Sequence, residues 1–509
     1  MVGRIKKRRV VKAKGTRKLR RDALGVARSL VGVMESGGNN RGKKVMQIIR
    51  ANGGTGPEPW CFAAGTLVST PEGLKTIESL SAGDEVFSAQ GGVVPVLDIL
   101  SRKSKTVSVR AMGLDGTITT KNHPYLARRN SGRPGKPVFG DAEWVHAGDL
   151  KRGDMLCAPH LSGGWKEVDD LEAYVVGRWI ADGWRTDGTQ RGGKDMRREV
   201  KICCSHDESE ELSSRLDAAG LKHSASHRSD TATEFRLPTS FLSMVDSCGK
   251  YAHGKMMPAD VLSWNDAARH ALLQGYIDGD GHVYEDGLIS VNTVSRTLAH
   301  GVAQVARSLG LVPKLYAQER AATTVIQGRT VNQNGARYQV SFYPDGQRGM
   351  NHARVEDDMQ WLPVRSVEKA EKQVVYNLTV AGSNTFIADG MAVHNCGDFV
   401  AYCYRRAGSR AVQRAWAAVR YLGYLGGMRV TKNARAGMIV CYTFDHTGIF
   451  DHYCNAHGTP VSRKRATHIV AIEGNTGASG AVSDGNGSDG VYKKVRSLEL
   501  VSRFVKVMR

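Results

Sequence analysis

Cys61-Phe62-Ala63-Ala64-Gly65-Thr66-Leu67-Val68 near the front of the chain and His394-Asn395-Cys396 toward its end decide how the rest is read. A cysteine thiol can attack the carbonyl of the preceding residue and turn an amide into a thioester. A second thiol can capture that acyl group. An asparagine side-chain nitrogen can attack its own backbone carbonyl, close a succinimide and break the chain after itself. A Cys at one point, and an Asn followed by a Cys at another, supply all three steps without metal or nucleotide, given positioned acid–base groups. The sequence therefore predicts that 61–395 leaves the chain and that Trp60 becomes joined to Cys396.

Short strands and tight turns surround these residues. Leu67-Val68-Ser69-Thr70 leads into the turn Pro71-Glu72-Gly73, and 93–100, 106–111 and Thr117–Thr120 continue the strand pattern. This character lasts to about Pro159 and returns at 374–380 and Thr385–Ala388, just ahead of His394. One β domain is thus predicted in two pieces, 61–164 and 361–395, around an insertion at 165–360. The insertion alternates helices and strands and repeats itself weakly. Val175-Val176-Gly177-Arg178-Trp179-Ile180-Ala181-Asp182-Gly183 and Leu273-Gln274-Gly275-Tyr276-Ile277-Asp278-Gly279-Asp280-Gly281 both end in an acidic residue and glycine. An amphipathic helix, 210–219 or 295–309, follows each and stops at Gly-Leu.

Together these motifs resemble an intein. Cys61 through Val68 resembles the intein start, and Gly83-Asp84-Glu85-Val86-Phe87 the strand motif after it. Thr120-Lys121-Asn122-His123-Pro124 is similar to the internal Thr-x-x-His motif, and Trp144 with Gly148-Asp149-Leu150-Lys151-Arg152-Gly153-Asp154 to the next block. Val375-Tyr376-Asn377-Leu378-Thr379-Val380 and 385–395 resemble the ending. The resemblance implies an all-β, horseshoe-like Hint splicing domain. It makes Cys61 the first nucleophile, His123 the group that protonates the departing Cys61 nitrogen, and Thr120 a residue that distorts or hydrogen-bonds that peptide. Cys396 takes the acyl group, and His394 assists cyclisation of Asn395. Asn377 and Asn384 depart from the family, standing where an Asp and a His are common. An amide cannot titrate near neutrality, which predicts slower splicing or greater dependence on His394. A Hedgehog-like autoprocessing domain shares the β fold, but the His394-Asn395-Cys396 ending argues against it.

The paired motifs of the insertion resemble LAGLIDADG homing endonucleases of the DOD type, an α+β fold with a pseudo-twofold repeat. The resemblance implies that the two helices touch through Gly177 and Gly275. It brings Asp182 and Asp280 together to hold Mg²⁺, which activates water for phosphodiester hydrolysis. Strands of each half would saddle double-stranded DNA, the intein-free allele, with Lys and Arg on its phosphates. Ile180 stands where an acidic residue is frequent, away from the metal-facing position. Lys201 and Lys314 are the candidates for an assisting lysine. The alternative reading is an inactive, DNA-binding endonuclease in a non-enzymatic basic host.

Without 61–395 the chain reads Glu58-Pro59-Trp60-Cys396-Gly397-Asp398-Phe399. This resembles the active-site entry of CHAP domains, papain-like α+β cell-wall hydrolases such as phage endolysins carry. Asp445-His446-Thr447-Gly448-Ile449-Phe450 is similar to their His strand, and Ile472-Glu473-Gly474-Asn475-Thr476 to their third polar element. The host domain is then split into 1–60 and 396–509. Cys396 would be its nucleophile, at the start of a helix over 399–406 that favours the thiolate. His446 would be general base and acid, and Glu473 or Asn475 would orient the imidazole. No cofactor is needed, and the substrate would be peptidoglycan, cut by an amidase or endopeptidase. Ala436-Gly437-Met438 departs from the family's usual Pro-Gly-Asp. With the segment carrying Trp60 held at the other end of the insertion, the host is expected to be inactive before splicing.

A chain of 509 residues with 41% hydrophobic and 24% charged positions predicts several globular domains rather than disorder. The net charge of +21 favours polyanionic partners. Arg4-Ile5-Lys6-Lys7-Arg8-Arg9 reads as a solvated, disordered tail or as a polyanion anchor, with helices expected around 24–34 and 43–51. Nine cysteines without repeated spacing predict reduced thiols and a cytoplasmic monomer, although Cys454-Asn455-Ala456-His457 has a spacing zinc can use. No apolar run is long enough to span a bilayer, and no secretory signal follows the basic start.

Overall fold

The computed structural model describes residues 3–34, 43–45, 47, 61–89, 92–133, 135–161, 164–188, 190–191, 194–195, 198–319, 323–326, 329–332, 335–345, 353–356, 359–380, 385–394, 400, 403–404, 406–408, 428–442, 447–476 and 490–507. Trp60, Asn384, Asn395, Cys396 and His446 lie outside them, as do the side chains of His394 and Asn475.

The predicted β domain is a single antiparallel sheet built from both of its pieces. Its frame is two long strands, Val93–Ala111 and Met359–Val380, paired from Val364↔Ala111 to Val380↔Val96. The first was expected as two strands, 93–100 and 106–111. The polar stretch between them instead continues the ladder, because its backbone groups pair with 373–377 whether or not its side chains are buried. Phe62–Ala63 sits at the centre, with Phe62 opposite Tyr376 on one side and Thr119 on the other. Phe62, Tyr125, Phe386 and Val393 pack in the core beneath it. Met359–Pro363 pairs with Met155–Pro159, so the sheet resumes by residue 359. The hairpin Thr385–Ala388/Met391–His394 turns on Asp389 and Gly390 at φ 45° and 78°, the two left-handed positions of a tight Asp-Gly turn. Its second strand lies beside Pro124–Arg128 through Val393↔Tyr125.

The insertion has two halves of one topology. Helix α2 (Asp170–Asp182) is followed by strands Gly183–Asp187 and Arg198–Ser205, helix α3 (Ser209–Ala218), and strands Ser224–Ser229 and Ala232–Leu237. Helix α4 (Asp266–Asp280) is followed by Gly281–Val283, Ile289–Thr293, helix α5 (Arg296–Ser308), Lys314–Gln318 and Arg337–Phe342. Taking the four strands of each half in chain order, both sheets have the lateral order first, second, fourth, third. Helices α2 and α4 pack directly. A Cβ on Gly177 would lie 2.1 Å from the Leu272 carbonyl oxygen, and one on Gly275 2.1 Å from that of Tyr174, so both positions must be glycine.

The host segments form a third body. Its sheet has the order 428–431, 501–507, 439–442, 447–454, 468–476, 490–497. Against it packs helix α1 (Gly3–Leu30), which takes in the basic run expected as a tail. Arg and Lys are good helix formers, and Leu19, Ala23, Leu24, Ala27 and Leu30 give this helix one buried stripe. Helix α1 and the C-terminal sheet thus share one core, while the segment carrying Trp60, expected at the other end of the insertion, lies outside the described residues. The described residues of the expected 399–406 helix, 400, 403, 404 and 406, are helical. Cys454 ends the strand 447–454 and His457 lies in the turn after it, closed by the Asn455 side chain, and no group of three metal-ligating side chains occurs among the described residues. No described helix is long and apolar enough to cross a membrane.

Candidate functional site

Cys61 is fully buried at the head of the central strand, and its peptide groups are gripped on both faces. Its N–H donates to Thr120 Oγ1 at 3.1 Å. Its carbonyl accepts from Thr120 N at 2.9 Å and from Thr119 Oγ1 at 2.8 Å. The register Phe62↔Tyr376, carried one residue back, sets Asn377 opposite Cys61. His123 is brought in by a tight turn, its N–H donating to the Thr120 carbonyl at 3.0 Å. Its imidazole is buried with its centroid 4.0 Å from the Phe62 ring. The turn is clamped from the far side, where Ala147 N donates to the His123 carbonyl at 2.7 Å. Through Val393↔Tyr125, the strand ending at His394 reaches the element that directly follows His123. Cys61, Thr120, His123, Asn377 and the backbone of His394 thus converge on one part of the sheet.

The ends of α2 and α4 bring Asp182 and Asp280 together. Partial desolvation, then the charge of Asp182, pushes the Asp280 carboxyl up to about 6, although Asp280 remains open to solvent at the helix end. Asp182 is also raised, mainly by burial, with Arg178 3.6 Å away opposing the shift. Two mutually repelling carboxylates at two helix C-termini, where the dipoles add negative charge, are a donor set that fits a divalent cation. Close approach is again through glycine: a Cβ on Gly279 would lie 2.8 Å from Asp182 Oδ2.

The lysine facing this pair is one the sequence reading missed. Lys255 is buried, donates to the Trp179 and Gly183 carbonyls at 2.8 Å each, and lies 3.7 Å from the Trp179 ring centroid. Burial lowers it to about 8, against the pull of Cys248, Asp280 and Asp182. Lys201 is instead engaged by Glu234 and Glu199 at 2.8 and 3.3 Å, and Lys314 sits on the strand Lys314–Gln318 under Gly113. No motif marked Lys255, because its partners are backbone carbonyls more than seventy residues upstream.

In the host body Glu473 is fully buried, accepting from Tyr442 Oη at 2.7 Å and pairing with Arg496 at 2.7 Å. Both of its oxygens are thereby engaged. Asn475 lies two residues further along the same strand.

One polar cluster ties the insertion to the β domain. Arg296, at the start of α5, donates to Asp115 Oδ2 at 2.7 Å, to the Gly65 carbonyl at 2.8 Å and to Asp389 Oδ1 at 3.0 Å. His300, one turn on, reaches Asp115 Oδ1 at 3.0 Å. Asp389 Oδ1 also accepts from Leu67 N at 2.9 Å. The cluster thereby touches the loop after Cys61 and the turn before His394.

Two family models match the chain: the Hint domain at residues 60–124 and the homing endonuclease at residues 257–344. Residues 60–124 are thus similar to a Hint domain and residues 257–344 to a homing endonuclease. Among curated proteins it is 25% identical over 381 residues to an iron–sulfur cluster assembly SufBD family protein of Mycobacterium bovis, covering 66% of this chain and 43% of that one. It is 25% identical over 491 residues to the ATP-dependent DNA helicase Hel308 of Thermococcus kodakarensis, covering 79% of this chain and 42% of that one. The chain thus spans less than half the length of either relative. Among solved structures, it is similar to I-DmoI in complex with DNA and Mn at 15% identity and a TM-score of 0.23, over 34% of this chain and 89% of that one.

Proposed function

We propose that 61–395 is a self-splicing intein that joins Trp60 to Cys396. The observation that carries this reading is the grip on Cys61: Thr120 Oγ1 holds the N–H of the one peptide that must be activated, Thr119 holds the Cys61 carbonyl just after it, and His123 packs on the neighbouring Phe62 ring. The Cys61 thiol attacks the Trp60 carbonyl carbon, the C–N bond breaks, and His123 delivers a proton to the leaving nitrogen. Thr120 fixes the N–H of that peptide and Thr119 the Cys61 carbonyl that follows it, so that little orientational freedom is left to lose. The Cys396 thiol then takes the acyl group. Asn395 cyclises with help from His394, and the new thioester rearranges to an amide. Asn377, at the register position opposite Cys61, can hydrogen-bond but cannot act as a base. The relatives also support a transferable insert. A SufBD family protein and a DNA helicase, two proteins of different description, match this chain at the same 25% identity. The test is the variant Cys61→Ala with Asn395→Ala. It should accumulate as full-length chain, and abundant ligated product from it would end this reading.

The insertion is proposed to be a double-strand endonuclease for the uninterrupted host gene. Asp182 and Asp280 would hold Mg²⁺, which supplies an activated water and stabilises the leaving oxygen. Lys255, held on the carbonyls that end α2, places a cation beside the two carboxylates and is the positioning residue in place of Lys201 or Lys314. The assay is cleavage of DNA joined across the codons for Trp60 and Cys396, against DNA carrying the insertion. Equal cutting of both would contradict it. For the ligated host we propose a cysteine hydrolase acting on peptidoglycan, with Cys396 as nucleophile and His446 as base. Asn475 would orient the imidazole, since Glu473 is engaged by Arg496 and Tyr442. Clearing of a cell-wall suspension by the ligated product, lost in His446→Ala, tests this.

A further inference from the structure

Residues from before and after 61–395 already share one core. Leu19, Leu24 and Leu30 of α1 are buried with Ile439, Ile449 and Val505 of the C-terminal sheet. The helix comes so close that a Cβ on Gly437, which sits at φ 79°, would lie 2.1 Å from the Arg20 carbonyl oxygen. Arg28 Nη2 meets the buried Asp451 Oδ1 at 2.5 Å, across 423 positions of sequence. Beyond the helix the chain adds itself to the sheet edge. Gly32 N donates to the Val491 carbonyl and Val491 N to the Val33 carbonyl, each at 2.9 Å, and Met34 bridges to Gly490. A Cβ on Gly490 would lie 2.5 Å from the Val33 carbonyl oxygen, so the edge is shaped for this segment. Stripe, glycine clearances, ion pair and edge pairing are four separate kinds of complementarity between the same two pieces.

We propose that the two host segments bind each other non-covalently before splicing and act as a clamp on the reaction. The clamp's role rests on the intein reading above; its existence does not. Cys61 is anchored in the Hint sheet, while residue 60 leads back to a segment docked on the body that carries Cys396. When the Cys396 thiol attacks the Trp60–Cys61 thioester, the carbonyl–Sγ bond to Cys61 breaks and the one to Cys396 forms. The proton passes from the incoming thiol to the outgoing thiolate. Tethering both ends to one frame keeps their effective concentration high. A junction broken too early therefore does not shed its host segment. In this account splicing seals a nick in a domain whose α1–sheet interface is already formed.

The test uses the full chain with Cys61→Ala and Asn395→Ala to stop splicing, and a protease recognition sequence in place of Gly53-Gly54-Thr55-Gly56. After cutting, native size-exclusion chromatography should keep the N-terminal piece with the remainder, and denaturant should separate them. Adding Arg28→Glu, which turns the Asp451 pair into a repulsion, should release a measurable fraction. Should the cut piece elute alone under native conditions while the remainder stays folded by circular dichroism, the clamp is wrong. Ligated product from the unmodified chain is scored separately. Retention of the piece without any splicing would sink the intein reading alone, and splicing without retention would sink the clamp alone.

Discussion

Replacing Arg296 by Ala tests the junction between the insertion and the β domain. The substitution removes three donors at once and leaves Asp115 and Asp389, whose side chains are 5% and 2% exposed, without their guanidinium. Burial alone would raise the Asp115 carboxyl, yet His300 and Arg296 hold it far below the ordinary carboxylate range. Breaking a buried pair by deleting one partner costs about 3–5 kcal/mol. His300 still contacts Asp115, so the lower end, about 3 kcal/mol, is the expectation, out of a total stability of about 5–15 kcal/mol for a typical domain. The assay is urea unfolding by tryptophan fluorescence in the Cys61→Ala, Asn395→Ala background. Adding Asp115→Asn should cost less in the Arg296→Ala protein than in the parent, because the two substitutions remove the same interaction. A depressed carboxylate contributes stability above its unfolded value and loses it as pH falls through its folded value. The parent's advantage should therefore shrink below about pH 4. A cost under about 1 kcal/mol, with simple additivity, would refute the reasoning.

Asp182→Asn should abolish DNA cleavage and leave the splicing yield unchanged, as read by plasmid linearisation and gel densitometry on the same preparations. Nuclease activity should rise with pH up to about 6, where Asp280 ionises, and fall above about 8, where Lys255 loses its proton; a pH–rate profile checks both limbs. Bound metal would move the lower limb further down. Gly177→Val should destabilise the insertion by about 3 kcal/mol or more, since a Cβ there meets backbone of α4 that has no rotamer to give, as a denaturation midpoint would show.

Much of this was legible in the sequence where one local signal fixes one local structure. Helices α2 and α4 announce themselves by an apolar run closed by an acidic residue and glycine, and their glycines face each other as expected. The motifs group Cys61 with Thr120 and His123, and hydrogen bonds join Cys61 to Thr120, 59 positions on, and Thr120 to His123, whose ring packs on Phe62. What stayed hidden depends on distant partners. The strand Val93–Ala111 looked like two because alternation reports burial, whereas a ladder needs only a neighbouring backbone. Lys255 has no marking pattern, since its partners are the carbonyls that end α2. Charge alone marks the basic N-terminus as a tail, whereas the leucines that dock it have their partners at the far end of the chain.

The central claim is that 61–395 excises itself, and intact-mass spectrometry of the unmodified chain after expression tests it most directly. The account predicts two species: a free segment of 335 residues beginning at Cys61, and a 174-residue chain in which Trp60 is followed by Cys396. Persistence of the full 509-residue mass, or separate pieces of 60 and 114 residues without a joined product, would contradict it.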